Sequence, residues 1–451
     1  MGFRSHSFTR RPKAAVITTA ATIVFILFLV TGCGDTFRPV ANPITIPGGD
    51  PAGIGDAIIL ASNGNQPGTS SHINVSGDTV VAIQNLQANP VHATIIGGSV
   101  VVANYGVFNA GPPAIFGSVS IYPESAGPGA SVTTISVGDP NVPPPPANPK
   151  AAHAVYVHST DNTNIYVAEQ GEPGGPADAL GIIPLSSITG DSQLCTTTNQ
   201  APCHVIDGSI KTPVAIVQPP GSGKVYVANA GSGQVTIVDT ATFLVRNTIT
   251  VGSNPQAMVI SSDNNCLYVA NKGSNSVSVF STGSDTPTVG TITTGIGSGP
   301  SFLFFDKKLQ RVYVANSGGN TISIINHAAD CSASTSTSVP LGHSSPQSIT
   351  ALADGSRAYA ANTDGTVSVI LASSNTVKTF SGGANAVSAG SAANPVSIGS
   401  STDGAKVFVA NNSGIITIIR TSDDSVVLQF MGPNNPNKLP GAPNPNFVLM
   451  F

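Results

Sequence analysis

Five stretches of this chain are near-copies of one another, and only a fold built from structural repeats accommodates them. Residues 225–238 read VYVANAGSGQVTIV. The others are LYVANKGSNSVSVFS at 267–281, VYVANSGGNTISII at 312–325, AYAANTDGTVSVIL at 358–371 and VFVANNSGIITII at 407–419. Side chains alternate with period two on both sides of a Gly-, Ser- and Asn-rich turn, so each copy is a pair of short strands. Copies recur every 42 to 49 residues, a period at which each unit buries its apolar face only by stacking on its neighbours.

The whole unit opens on a dipeptide ending in proline, followed by an apolar strand a. The YVAN strand b, a VTIVD-like strand c and an NTITVG-like strand d complete it. The openings are Asn89-Pro90, Asn148-Pro149, Thr212-Pro213, Asn254-Pro255, Gly299-Pro300, Ser345-Pro346, Asn394-Pro395 and Asn444-Pro445. The YVAN asparagine position falls at Asn104, Glu169, Asn229, Asn271, Asn316, Asn362 and Asn411, with the first two full units carrying insertions. These units resemble YVTN-family β-propeller repeats, with Ala where the family name has Thr, and the likeness covers nearly everything after residue 55. The resemblance implies an all-β fold: a single β-propeller of four-stranded blades.

Eight proline openings accompany seven complete units. The last opening, NPNFVLMF, is a lone strand a at the C-terminus, and residues 57–85 supply candidate strands b, c and d, with Ser62 in the asparagine position. Joining the two ends removes an exposed sheet edge, so eight blades are expected, with seven as the alternative. In this topology the a–b and c–d turns share one face, where the folded body begins. The long connections at 105–117, 138–148, 169–181, 382–394 and 432–444 lie on the other, where binding loops concentrate.

Three segments follow. Arg4, Arg10, Arg11 and Lys13 precede an uncharged apolar run, 14–30, and then Val30-Thr31-Gly32-Cys33. This resembles a bacterial lipobox, which implies a signal peptide over 1–32 and a lipidated Cys33 as the mature N-terminus; an uncleaved membrane helix is the alternative. Residues 33–55 are rich in Pro and Gly and read as a tether, leaving 56–451 for the propeller. Both readings place the body outside the cytoplasm, in the bacterial cell envelope, held to the membrane.

Charged residues make up only 9% and the net charge is −4, so no basic stripe for nucleic acid exists. Cys195 and Cys203 bracket a c–d excursion, and Cys266 and Cys331 fall on the same face of neighbouring blades. Two disulfides are consistent with that placement, as are free buried thiols. Cys203-His204 lacks the first cysteine of a haem-attachment motif, because Gln200 stands there. His153 and His158 differ by five, which puts them on opposite faces of a strand, where they cannot share a metal; His72, His92, His327 and His343 are isolated, so no metal or cofactor is expected.

One acidic group, Glu169, Glu172 and Asp178, stands on the 169–181 excursion. It reads either as a ligand contact at the mouth of the ring or as a solvated loop. The segments assigned to strand a, such as VHATII, QAMVIS and QSITAL, carry no charge, which is poor ground for hydrolysis. The expected role is therefore non-enzymatic, a scaffold binding a protein, glycan or small molecule. The alternative is a hydrolase similar to the lactonase-type propellers that share this repeat style.

Overall fold

The computed structural model describes residues 56–451 apart from 65, 77, 108–115, 138–151, 173–176, 186–203, 335, 382, 391–393 and 431–443. The lipobox with Cys33, the tether, the Cys195/Cys203 pair, the 138–148 segment and nearly all of 432–444 lie outside the described residues. Among the described residues no helix is long and apolar enough to cross a membrane.

The strands form eight separate antiparallel sheets. Blade 3 shows the pattern: strand a Pro213–Val217, b Lys224–Asn229, c Gln234–Asp239 and d Val245–Thr250, paired in that order. Blades 1 to 7 follow the chain; in blade 6 strand d is in two pieces, both paired with strand c. Blade 8 joins the two ends. Asn444–Met450 is its strand a, and Asp56–Asn63, Gln66–Asn74 and Thr79–Ala88 are strands b, c and d. Each strand a lies beside the strand a of the next blade all round the ring, including blade 8 beside blades 7 and 1. Eight blades and the one-plus-three closure are thus what the chain adopts.

Burial explains the repeat's composition. Strand b is covered on both faces by neighbouring blades, so all six residues of KVYVAN, CLYVAN and RVYVAN are buried. Strand d is outermost and half-exposed, and there alone alternation with polar residues is marked. The residue before the opening proline is left-handed, with φ near +50° at Asn89, Thr212, Asn254 and Ser345 and +62° at Gly299. Asn and Gly suit that conformation, whereas Thr212 holds it under strain. The proline pairs with the YVAN asparagine, and the next residue bulges out of the ladder. The asparagine itself is not left-handed in any blade. Its Nδ2 donates instead to a hydroxyl on strand c, in six blades: Ser120, Thr236, Ser278, Ser323, Ser368 and Thr417, at 2.9–3.1 Å.

The register corrects two assignments. In blade 8 the residue opposite Pro445 is Ala61, not Ser62. Ser62 lies one step further along and donates to Asn89 Oδ1. In blade 2 the residue opposite Glu169 is Ala154, so Ala154 takes the place expected of Pro149. The ladder of that blade runs two residues further before the chain turns away.

Candidate functional site at the upper end of blade 2

The lower face, made of the a–b and c–d turns, holds both ends of the described chain, with Phe451 N donating to Asp56 O at 3.3 Å. The upper face carries the b–c and d–a connections. There blade 2 departs from the other blades. Its strands are Ala152–His158, Asn164–Gly171, Ala179–Pro184 and His204–Val205.

Glu169 occupies the asparagine position and is buried. A carboxylate has no N–H to give to a strand c hydroxyl, and it is one methylene longer. Both differences are met. The hydroxyl position is Gly181, where any Cβ would overlap Glu169 Oε1. An imidazole on strand d faces the carboxylate, with His204 Nδ1 2.9 Å from Glu169 Oε2. Three residues change together, and the pair spans strands b and d across the glycine.

A second carboxylate–imidazole pair sits at the end of the same hairpin. His153 Nε2 lies 3.0 Å from Glu172 Oε1, with both side chains at most 3% exposed. His153 Nδ1 lies 2.7 Å from the carbonyl oxygen of Tyr105, whose ring stacks on the imidazole at 4.2 Å. Since the carbonyl only accepts, Nδ1 is the donor to Tyr105, which leaves Nε2 facing the Glu172 carboxylate. A buried, oriented imidazole against a carboxylate is the arrangement general acid–base chemistry uses. Asp178 plays another part. It accepts from Gly171 N at 2.9 Å and from Thr212 N at 2.8 Å, and Gln170 Nε2 donates to Pro213 O at 2.8 Å. These bonds fix the blade 2 hairpin to the start of blade 3.

Glu169, Glu172 and Asp178 therefore all have partners within the chain, and they do not converge on one point. The excursion is also shorter than the sequence suggests, because Glu169 pairs with Ala179 and Val167 with Gly181 in the ladder. The sequence reading missed His153 and His204 as partners, since the pairings span 19 and 35 residues and no local spacing signals them. A bulge at Val155 also breaks the alternation: His153 faces Gln170 and His158 faces Tyr166, so the two histidines share a face of the sheet. Four ladder positions, about 13 Å, still separate them, too far for one metal ion. The other histidines have partners as well. His92 stacks on Tyr156 at 3.8 Å, His327 Nδ1 meets Tyr268 Oη at 2.9 Å, His343 Nδ1 meets Asp364 Oδ2 at 3.0 Å, and His72 Nε2 lies 3.4 Å from Tyr122 Oη. Among the described residues no group of three or more His, Cys, Asp or Glu is placed to hold a metal ion.

The axis offers less chemistry. The bulged residues after each proline border it, and they are aliphatic (Val91, Val214, Val396) or neutral polar (Gln256, Ser301, Gln347, Asn446). Beneath them a cavity of about 70 Å³ is lined by inner-strand residues of blades 5 to 8, among them Phe304, Ile349, Ile398, Phe447 and Leu449.

The lower face holds a disulfide between Cys266 of blade 4 and Cys331 of blade 5, with Cα atoms 5.3 Å apart. Of the two bonding states open to this pair, the structure has the bridge.

No curated protein matches the sequence. Solved structures match the fold at low identity. The dihydro-haem d1 dehydrogenase NirN is similar over 91% of this chain and 83% of its own, with 12% identity and a TM-score of 0.58. AztD from Citrobacter koseri is similar over 88% and 98%, with 11% identity and a TM-score of 0.57. The periplasmic gluconolactonase PpgL from Pseudomonas aeruginosa is similar over 75% and 97%, with 14% identity and a TM-score of 0.52. The family described as "Lactonase, 7-bladed beta-propeller" matches residues 58–332, from strand b of blade 8 into the c–d turn of blade 5. This chain belongs to that lactonase-type propeller family, with eight blades where the family's description has seven.

Proposed function

We propose that this protein is a lipoprotein of the bacterial envelope, anchored through Cys33, whose propeller binds a protein, glycan or small molecule on its upper face. The observation carrying this reading is the contrast between axis and rim. The inner strands bring only neutral side chains to the axis, whereas the polar investment of the upper face goes into fixing the bases of the long connections of blades 1 and 2. A rigid scaffold with loops held at their bases is how binding sites are built on propellers. The test uses the mature chain, 33–451, as bait for native envelope extract. Replacing 173–177 by a Gly-Ser turn should cut capture at least tenfold, while Leu244→Ser on the lower face should leave it unchanged; the reverse pattern would remove the assignment of the upper face. The anchor has its own test. Cys33→Ser should abolish fatty-acid labelling and leave an unprocessed precursor, and labelling that persists would refute lipidation.

A second reading, hydrolysis of a sugar lactone, is favoured by the buried His153–Glu172 pair together with the family match. Here Glu172 and His153 share the proton that leaves the attacking water and reaches the ring oxygen. A panel of aldonolactones assayed by acid release decides it. Activity that falls about 100-fold or more in Glu172→Gln supports hydrolysis; activity insensitive to that change refutes it.

A further inference from the structure

The disulfide occupies a position that is ionic or hydrogen-bonded at other blade junctions. In blades 3 to 7 the first residue of strand b reaches the c–d turn of the following blade. Lys224 Nζ lies 2.6 Å from Asp285 Oδ1 and 3.2 Å from Thr282 O. Arg311 donates to Asn375 Oδ1 at 3.0 Å and to Ala372 O at 3.4 Å. Arg357 donates to both oxygens of Asp424 at 2.7 Å. Lys406 Nζ lies 2.6 Å from both Asp78 Oδ1 and Val75 O. In blade 4 the same residue is Cys266, bonded to Cys331.

The acceptors occupy one place in the turn. Asp285, Asn375, Asp424 and Asp78 are each the fourth residue after strand c. In blade 5 the fourth residue is Asp330, which is exposed, and Cys331 follows as the fifth. A lysine or arginine spans a gap that two cysteine side chains cannot, since a disulfide holds its Cα atoms below about 7 Å. Cys331, one residue beyond the acceptor position, brings its Cα to 5.3 Å from that of Cys266. We propose that Cys266–Cys331 is a covalent replacement for an ionic blade-to-blade latch, which makes the blade 4–blade 5 junction the redox-sensitive clasp of a ring whose ionic latches, Lys224–Asp285, Arg357–Asp424 and Lys406–Asp78, respond to salt.

Opening it takes a dithiol reductant. Two electrons and two protons pass to Cys266 and Cys331 as free thiols, and the reductant closes into its own disulfide. Cys331 is 6% exposed and Cys266 fully buried, so reduction proceeds through local opening of this junction.

Two measurements test the proposal. The first is hydrogen exchange on the full chain, with and without dithiol. Amides of 266–271 and 327–334 should exchange at least tenfold faster after reduction, with strand b of blades 3, 6 and 7 unchanged. No change, or a uniform rise across the ring, would overturn the clasp. The second restores the ionic form. Cys266→Lys combined with deletion of Cys331 leaves Asp330 at the acceptor position. Its melting point in low salt should exceed that of Cys266→Ser/Cys331→Ser by roughly 2–5 °C, fall in 1 M salt and ignore dithiol. A folded variant melting with the serine pair would refute the equivalence. If the deletion prevents folding, Cys266→Lys/Cys331→Ser, which keeps the turn length and Asp330, must show the same salt-dependent gain or the equivalence fails.

Discussion

Blades 3 to 7 and blades 8, 1 and 2 are the same architecture fastened in different ways. From blade 3 to blade 8 every junction carries a latch from the head of one strand b to the next c–d turn, four of them cationic and one covalent. At the junction of blades 8 and 1 the head changes sign. Asp56 stands where blades 3, 5, 6 and 7 have Lys or Arg, and burial raises its pKa. Across from it, burial and the charge of Asp56 raise the pKa of Glu124. This junction is held instead by packing and by a polar contact in which Ser70 and His72 meet the phenol of Tyr122. The regular half spends its charged residues on closure. The irregular half spends them at the upper end of blade 2, in Glu169–His204 and Glu172–His153. Where the repeat is kept, its polar residues serve the ring; where it is broken, they pair with one another at the upper end of blade 2.

The strongest way to break this contrast is to remove the strand that closes the irregular half. Deleting 444–451 takes away buried Phe447, Val448 and Leu449 and opens an inner edge, which should cost more than about 5 kcal/mol and lower the melting point of the whole ring. A variant melting with the parent would show that closure contributes nothing.

Next comes a latch of the regular half. Asp424 is fully buried beneath Arg357, Lys378 and the Tyr359 hydroxyl. Asp424→Asn should cost about 3 kcal/mol in denaturant titration, the low end for a broken buried pair because both cations are partly exposed. A cost below 1 kcal/mol would make the latch ornamental.

The irregular half should be the acid-sensitive one. Burial pushes His72 down to about 4, and His158 likewise. A neutral imidazole in the fold and a titrating one in the unfolded chain mean that stability is full above the unfolded value of 6.5 and is lost as pH falls toward 4. The loss is on the order of 3 kcal/mol per group at the lower end. His72→Gln should flatten melting point against pH over 6.5 to 4, by about half if His158 contributes equally; an unchanged slope would acquit His72.

Within blade 2, Gly181→Ser should cost about 2 kcal/mol because its side chain meets Glu169 Oε1. Adding Glu169→Asn rebuilds the pattern of the other blades and should recover at least half of that, as a double-mutant cycle would show. Additive losses would mean the two positions are not coupled. The smallest effect belongs to Arg420–Asp423, a pair 51% exposed on both sides, where Arg420→Ala should leave the melting point unchanged.

Much of this was legible in the sequence because a propeller's information is local. Alternation, turn residues and the recurrence of YVAN define strands, their order and the period, and a lone NPNFVLMF at one end with an orphan b–c–d at the other determines how the ring closes. Even the faces of Cys266 and Cys331 follow from strand order. What the tertiary structure decided are facts about register and reach. Whether Ser62 or Ala61 faces the proline depends on a bulge at Asn446, and a bulge at Val155 moves His153 to the face of His158; one residue of slip reverses every side chain beyond it. The pairing of Glu172 with His153 and of Glu169 with His204 crosses between strands, and that Arg357 finds Asp424 crosses between blades. Such contacts are set by how long side chains span a packed interface, which periodicity along a strand does not encode.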